Sequence, residues 1–136
     1  MSESDYWPID LLDNIPRTPK MILDEQAMAL GPKTKHVVEA RVRTSSDEEG
    51  DLHHYFQLVC RDLSNYHYTL FSIWHSLELY PVHSEEDPKK ELKDEQELRA
   101  YLKSVLQSPR TLKLVRALVA QTRSSSAVSD PDDVPF

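Results

Sequence analysis

Apolar and polar residues alternate in three successive segments of the chain, which predicts a small antiparallel sheet. Small apolar residues alternate with charged ones in residues 36–44, the pattern of a half-buried strand. Residues 52–60 (LHHYFQLVC) and 66–80 (YHYTLFSIWHSLELY) predict a second and a third strand. Because the links at 45–51 and 61–65 are short and polar, neighbouring strands are expected to pair as hairpins.

Apolar residues at helical spacing predict one helix before the strands and two after them. The first helix begins at Pro19 and is expected to end at Gly31, because proline suits a first helical turn and glycine a helix end. Asp94 is expected to cap the second helix, and Pro109 to begin the third. The predicted fold class is α+β, a three- to four-stranded antiparallel β-meander packed with one N-terminal and two C-terminal helices.

Composition divides the chain into three parts. Residues 1–17 contain two prolines and predict an irregular N-terminal arm, part of which is expected to pack on the domain because it is rich in apolar residues. Residues 18–123 are predicted to form a single α+β domain with three strands, or with four if the third strand divides and residues 75–80 form a short strand of their own. Residues 124–136 are predicted to be a flexible acidic tail.

Odd-numbered and even-numbered residues of the third strand are expected to point to opposite faces of the sheet. The face with Phe71, Ile73 and His75 is expected to lie on the core, together with His67 and Thr69, because it is the more aliphatic one from Phe71 onward. The opposite face is either covered by a helix or open as a partner-binding surface, since tyrosine, tryptophan and arginine are enriched at binding hot spots. The candidate residues of that surface are Arg41, Arg43, Tyr55, Tyr68, Trp74 and Tyr80.

The distribution of charge adds a second candidate surface. The formal net charge of −7 disfavours a general nucleic-acid binder, which must neutralise phosphates. Residues 101–123 nevertheless contain five basic residues and no acidic one. A solvated helix face explains this run most simply, but Lys113 and Arg116 on the last helix are also candidate partner-binding residues.

The missing residue types exclude several enzyme classes. Two glycines cannot supply a glycine-rich phosphate loop, and the single cysteine, Cys60, cannot form a zinc knuckle or a redox pair. No catalytic residue and no cofactor are therefore predicted. The candidates for a metal site are His54 and His75, which a hairpin around residues 61–65 would bring together, although hydrogen-bonded histidines near strand ends are the simpler interpretation.

The N-terminus and the cysteine content predict a cytoplasmic protein without membrane association. The chain is expected to be a monomer or a homodimer joined at a sheet edge, because a short meander leaves two edges to protect. The first residues, MSESDYWPIDLLDN, lack the basic start and apolar run of a signal peptide. No segment approaches the roughly 20 apolar residues of a membrane span. A lone cysteine cannot form an internal disulfide, which favours a reducing compartment.

Three functional hypotheses follow. We favour a non-catalytic protein-interaction or regulatory module that binds a macromolecular partner through the aromatic and arginine-bearing sheet face or the basic last helix. The first alternative is a single-stranded nucleic-acid binder in which bases stack on the sheet aromatics, and the net charge weighs against it. The second alternative is a small histidine-dependent or metal-dependent enzyme.

Overall fold

The computed structural model describes residues 5–129, which form one antiparallel sheet and three helices. The elements in chain order are α1 (Pro19–Lys33), β1 (Glu39–Ser46), β2 (Leu52–Cys60), β3 (Tyr66–His75), β4 (Val82–Ser84), β5 (Glu91–Leu92), α2 (Glu95–Leu106) and α3 (Pro109–Ser129). The five strands lie in the order β1-β2-β3-β4-β5, so each neighbouring pair is consecutive in sequence. The predicted α+β meander with one N-terminal and two C-terminal helices is confirmed, but it has more strands than predicted.

The additional strand arises after the end of β3. The predicted fourth strand at residues 75–80 is wrong, because the chain turns there and the Leu79 N–H donates to the Ser76 carbonyl at 3.0 Å. β4 follows this turn and pairs with the end of β3. β5 then pairs with β4 inside a stretch rich in charged residues. Strands as short as these leave no alternating pattern that sequence periodicity could detect.

The helices begin at the predicted caps. The side chains of Thr18 and Asp94 each accept a hydrogen bond from the backbone N–H three residues later, at 3.1 and 2.9 Å. The predicted end of α1 is wrong, since the helix continues through Gly31 and Pro32 to Lys33. Proline already has a helical φ, so a proline in the last turn removes one hydrogen bond without stopping the helix at once.

The last helix is longer than predicted. α3 runs to Ser129, past the predicted domain boundary at residue 123. The rest of the predicted acidic tail, residues 130–136, lies outside the described residues. Within the described part of the chain, no helix combines the length and apolar character that crossing a membrane requires.

The hydrophobic core fills the space between the helices and one face of the sheet. The buried apolar side chains of β2 occupy alternate positions, which directs them to the same face. Near the end of α3, the Thr122 hydroxyl lies 3.1 Å from Cys60 Sγ and joins the helix to β2. The core residues are Ile22, Leu23, Ala27, Val38, Phe56, Leu58, Cys60, Leu70, Phe71, Ile73, Val82, Leu92, Leu98, Leu102 and Leu118.

The described part of the N-terminal arm does not pack on the domain as expected. Its large apolar side chains are exposed to solvent, with Ile9 95% and Leu12 82% accessible. The base of the arm is fixed by ion pairs of Arg17 with Glu25 and Glu95. The arm is therefore attached by charge at its base and presents its apolar residues outward.

A β-bulge at the centre of the sheet divides β3 into two parts. Odd-numbered residues face the core in one part and face away from it in the other. Phe56 pairs with Phe71, whereas the next residue, Gln57, pairs with Thr69. Leu70 is consequently an extra residue on β3, and its side chain is buried in the core. A bulge of this kind reverses which face the following residues occupy.

The bulge corrects the predicted faces of β3. Residues after it have the predicted orientation, with Phe71 and Ile73 buried. Before it the assignment is wrong: Thr69 is exposed, and Tyr68, directly across from Leu58, packs against the core. One inserted residue therefore exchanges the two faces along the first half of the strand.

Alanine substitutions at Leu70 and Thr69 test this register. In Leu70→Ala, the lost burial and the remaining cavity are expected to lower the free energy of unfolding by about 2–5 kcal/mol. Thr69→Ala removes an exposed side chain that accepts one hydrogen bond from Gln57, so we expect a loss of about 1 kcal/mol or less. Urea unfolding measures both values, and a larger loss at Thr69 would contradict the bulge.

Candidate functional site

The sheet face opposite the core brings together four of the predicted partner-binding residues. Arg41 and Arg43 on β1 are exposed, and Tyr55 on β2 lies directly across from Arg43. Trp74 occupies the same face of β3 and is half-buried. Arg41 Nε donates to the side-chain oxygen of Gln57 at 3.0 Å, which holds this arginine along the sheet surface.

Trp74 lies in a row of three aromatic rings that crosses the sheet. Its ring stacks on His83 of β4 at a centroid distance of 4.2 Å and lies 6.2 Å from His53 of β2. His53 is held between two carboxylates, with Nε2 2.8 Å from Asp47 and Nδ1 2.6 Å from Glu85. The indole is thus engaged with its neighbours on both adjacent strands.

The end of this face around His53 is acidic. The hydrogen bond to Asp47, supported by Glu85, raises the pKa of His53, and the same bond lowers the pKa of Asp47. Glu85 accepts a hydrogen bond from the Ser72 hydroxyl, and Glu86 accepts one from the Ser72 N–H at 3.0 Å. These carboxylates would repel an anionic ligand placed over Trp74.

Two of the predicted residues lie away from this face, so the predicted surface is wrong in part. The bulge turns Tyr68 to the helix side of the sheet, where its hydroxyl oxygen accepts a hydrogen bond from Arg110 at 2.7 Å. Tyr80 lies beyond β3 and is half-buried, and this burial raises its pKa. Among the described residues, the buried Tyr80 hydroxyl has no hydrogen-bond partner.

Removing the Tyr80 hydroxyl is expected to preserve or increase stability. An unpaired buried polar group costs free energy, so Tyr80→Phe should leave the free energy of unfolding unchanged or raise it by about 1 kcal/mol. The matched control is Tyr101→Phe, which removes a hydrogen bond of 2.9 Å to Ser84 and should cost about 1 kcal/mol. Urea unfolding distinguishes the two, and an equal loss in both variants would show that the Tyr80 hydroxyl is paired.

His54 and His75, the candidate metal ligands, meet in the core. Their Nε2 atoms are 2.8 Å apart, and the residues are only 2% and 1% exposed. His75 Nδ1 donates to the Ser76 carbonyl at 2.7 Å, which leaves His75 Nε2 to accept from His54. The Thr44 hydroxyl donates to His54 Nδ1 at 2.9 Å. All ring nitrogens are therefore paired while both rings are neutral.

This geometry is that of a hydrogen bond between two rings. Two nitrogens that bind one tetrahedral zinc ion lie about 3.3 Å apart, since each Zn–N bond is about 2.0–2.1 Å. The described residues contain no group of three or more histidine, cysteine, aspartate or glutamate side chains arranged to hold a metal ion. The structure thus brings the two predicted histidines together and gives each of them a hydrogen-bond partner.

His54 is expected to make stability fall at acidic pH. Burial, and then the nearby His75, lower the pKa of His54 to about 4. The unfolded chain, with a pKa of about 6.5, therefore binds the proton first as the pH falls. The contribution of His54 is complete above about pH 6.5 and is lost towards about pH 4, on the order of 3 kcal/mol. We therefore expect the free energy of unfolding of His54→Gln, measured with urea between about pH 4 and pH 6.5, to depend less on pH than that of the wild type.

His53→Gln is the matched control for this prediction. The pKa of His53 is raised, so its contribution is complete below the unfolded pKa of about 6.5 and is lost as the pH rises through the folded pKa. This variant should therefore keep the acid-side loss of stability. A His54→Gln variant with the wild-type slope would show that another group causes that loss.

A groove of about 790 Å³ lies between α1 and α3, above the helix side of the sheet. Its floor consists of core side chains of the central strands, and its walls are the apolar positions of the two helices. The bulged Leu70 contributes to the floor. The apolar residues that line the groove are Ala29, Leu30, Phe56, Leu58, Leu70, Leu106, Leu112, Val115, Val119 and Ala120.

Basic side chains surround this groove, and none of its lining residues is acidic. Lys33 and Lys35 lie at the end of α1, and Arg116 and Arg123 follow along α3, all of them exposed. Lys113, the other basic residue predicted on this helix, lines a shallower depression that adjoins the groove. An apolar floor with a cationic rim is complementary to an acidic, amphipathic ligand.

Sequence reasoning identified part of the rim but missed the groove. The run of basic residues drew attention to Arg116, which does line the groove. The floor depends on a bulge, and the walls come from helices at opposite ends of the chain. Neither feature leaves a local pattern in the sequence.

Comparison with models of protein families, with curated proteins and with solved structures finds no match for this chain. A functional assignment therefore depends on the chemistry of the surfaces described above. Of these, the groove combines apolar area with charges of one sign, whereas the sheet face has basic residues at one end and acidic ones at the other.

Proposed function

We propose that the protein is a non-catalytic, cytosolic interaction module that binds an acidic, amphipathic segment of a protein partner between α1 and α3. The observation that carries this proposal is an apolar groove whose lining includes basic residues and no acidic ones. An amphipathic helix that lays its apolar face into such a groove is a recurrent mode of peptide recognition.

The dimensions of the groove suit a peptide segment. The lining residues on α3 extend from Thr111 to Arg123, which is about 18 Å at a rise of 1.5 Å per residue. This length corresponds to roughly three turns of a bound helix. The volume of about 790 Å³ is in the range of established ligand sites, which extends from about 300 to 1,000 Å³.

The rim gives the groove a preference among apolar segments. Each exposed cation contributes little as a single surface ion pair, about 0–1 kcal/mol. Several cations together nevertheless attract acidic segments, speed their association and disfavour the binding of basic segments. The apolar floor supplies affinity, and the rim supplies the choice of partner.

The sheet face supports partner binding less well. Trp74 is already stacked on His83, and Arg41 is hydrogen-bonded to Gln57. Tyr68 lies on the helix side of the sheet and Tyr80 lies beyond β3. The sheet face therefore lacks the continuous aromatic surface that strand alternation predicted.

Single-stranded nucleic acid is the second candidate ligand, because Arg43 is exposed beside the half-buried Tyr55 on the open face. The carboxylates around His53 and the net charge of −7 both oppose phosphate binding there. An enzyme that uses His54 and His75 receives less support still, since a substrate could not contact rings that are 1–2% exposed.

Selection of displayed peptides on the full-length protein tests the proposal. We expect the enriched peptides to be acidic and to carry apolar residues at helical spacing. Their Kd should rise at least about tenfold in Arg116→Glu/Arg123→Glu, because the charge of the rim is reversed while the floor is unchanged. Binding is measured by fluorescence anisotropy, and amide shifts in NMR spectra locate the bound peptide.

The matched control is Arg41→Glu/Arg43→Glu, which changes the net charge equally but on the sheet face. This variant should bind the enriched peptides like the wild type. If it loses binding while the groove variant keeps it, the sheet face is the binding site. Salt-sensitive binding of oligothymidylate that is lost in the sheet-face variant would favour the nucleic-acid alternative.

A further inference from the structure

The described part of the N-terminal arm is itself an acidic, amphipathic segment. Residues 5–16 contain three aspartates and no basic residue. The large apolar side chains of the same stretch are exposed, including Trp7 at 75% and Ile15 at 64%. Several large exposed apolar side chains in one short stretch make it a candidate contact surface.

The sequence of the arm has the spacing of an amphipathic helix. In the structure, residues 9–14 form turns, with Asn14 at a φ of 58°. In a helical conformation adopted on binding, Leu11, Leu12 and Ile15 would lie on one side of the segment, and Asp10 and Asp13 on the opposite side. A turn already exists between these two aspartates, since the Asp13 N–H donates to the Asp10 carbonyl at 2.9 Å. The apolar side matches the groove floor, and the acidic side matches its basic rim.

We propose that the groove of one chain binds the arm of a second copy of the chain, so that two chains exchange their arms. This inference rests on the proposed function of the groove and names its occupant. The chain carries both complementary surfaces, and the structure leaves the groove open while the arm is exposed.

A second copy is favoured by the way in which the arm is attached. Arg17 pairs with Glu25 and Glu95, which fixes the base of the arm near the beginnings of α1 and α2. The groove is lined by α1 only from Gln26 onward, and by α3. An arm held at its base and directed outward can enter the groove of a neighbour, and a two-fold arrangement then fills both grooves at once.

Sedimentation velocity of the full-length protein over a wide concentration range tests the exchange. We expect a dimer that forms as concentration increases. Leu11→Asp/Leu12→Asp in the arm and Arg116→Glu/Arg123→Glu in the groove should each raise the dimer dissociation constant at least about tenfold. The first pair of side chains is exposed and the second pair lies on the rim, so the fold is retained.

Exchanged charges provide the decisive control. Asp10→Arg/Asp13→Arg combined with Arg116→Glu/Arg123→Glu restores opposite charges across the contact and should recover the dimer. Arg41→Glu/Arg43→Glu should remain dimeric. A dimer that survives both the arm and the groove substitutions would place the interface elsewhere and overturn the exchange.

A synthetic peptide of residues 5–17 separates this inference from the proposed function. It should bind the Leu11→Asp/Leu12→Asp variant and lose that affinity when the groove charges are reversed. If the peptide binds but the wild type stays monomeric at all concentrations, the two chains do not exchange arms and this inference is wrong while the proposed function stands. If selected acidic peptides bind and this one does not, the exchange is wrong while the function stands. If no acidic peptide binds, both fail.

Discussion

Phe56 and Phe71 stack at the centre of the sheet with a centroid distance of 5.1 Å, and the rest of the structure depends on the register that this pair occupies. Directly beside it, β3 contains one residue more than β2. That residue, Leu70, enters the core and becomes part of the groove floor. The same insertion turns Tyr68 towards α3 and leaves Thr69 facing solvent. One local irregularity therefore decides which side chains face the helices.

The polar groups in the interior depend on this register as well. His54 and His75 meet only because β2 and β3 pair as they do beyond the bulge. Their hydrogen bonds continue to Thr44 and to the Ser76 carbonyl, and burial lowers the pKa of His54 to about 4. On the opposite face, His53 lies between two carboxylates, and these raise its pKa. His53 and His54 are neighbours on β2, yet the pKa of the first is raised and that of the second is lowered.

Features with local causes could be predicted from the sequence. The caps at Thr18 and Asp94, the three main strands and the approach of His54 to His75 follow from spacing, hairpin pairing and capping chemistry. The bulge could not be predicted, because alternation assumes an uninterrupted strand and Leu70 fits either face as an apolar residue. The groove was missed for a related reason: its floor and walls come from distant segments, and only the basic residues of α3 left a visible pattern. The arm was misjudged because its apolar residues were assumed to need burial within the same domain.

The groove floor has one further consequence. Phe56, Leu58 and Leu70 belong to the core of the domain and at the same time line the groove. If the groove binds a partner as proposed, variation at these positions would change folding and recognition together, whereas the exposed side chains at the rim are free of that constraint. Under that proposal, partner preference would drift over evolutionary time through the charges of α3 and the end of α1 while the floor stays fixed. Related chains would then share a common apolar floor and differ in the pattern of charge around it.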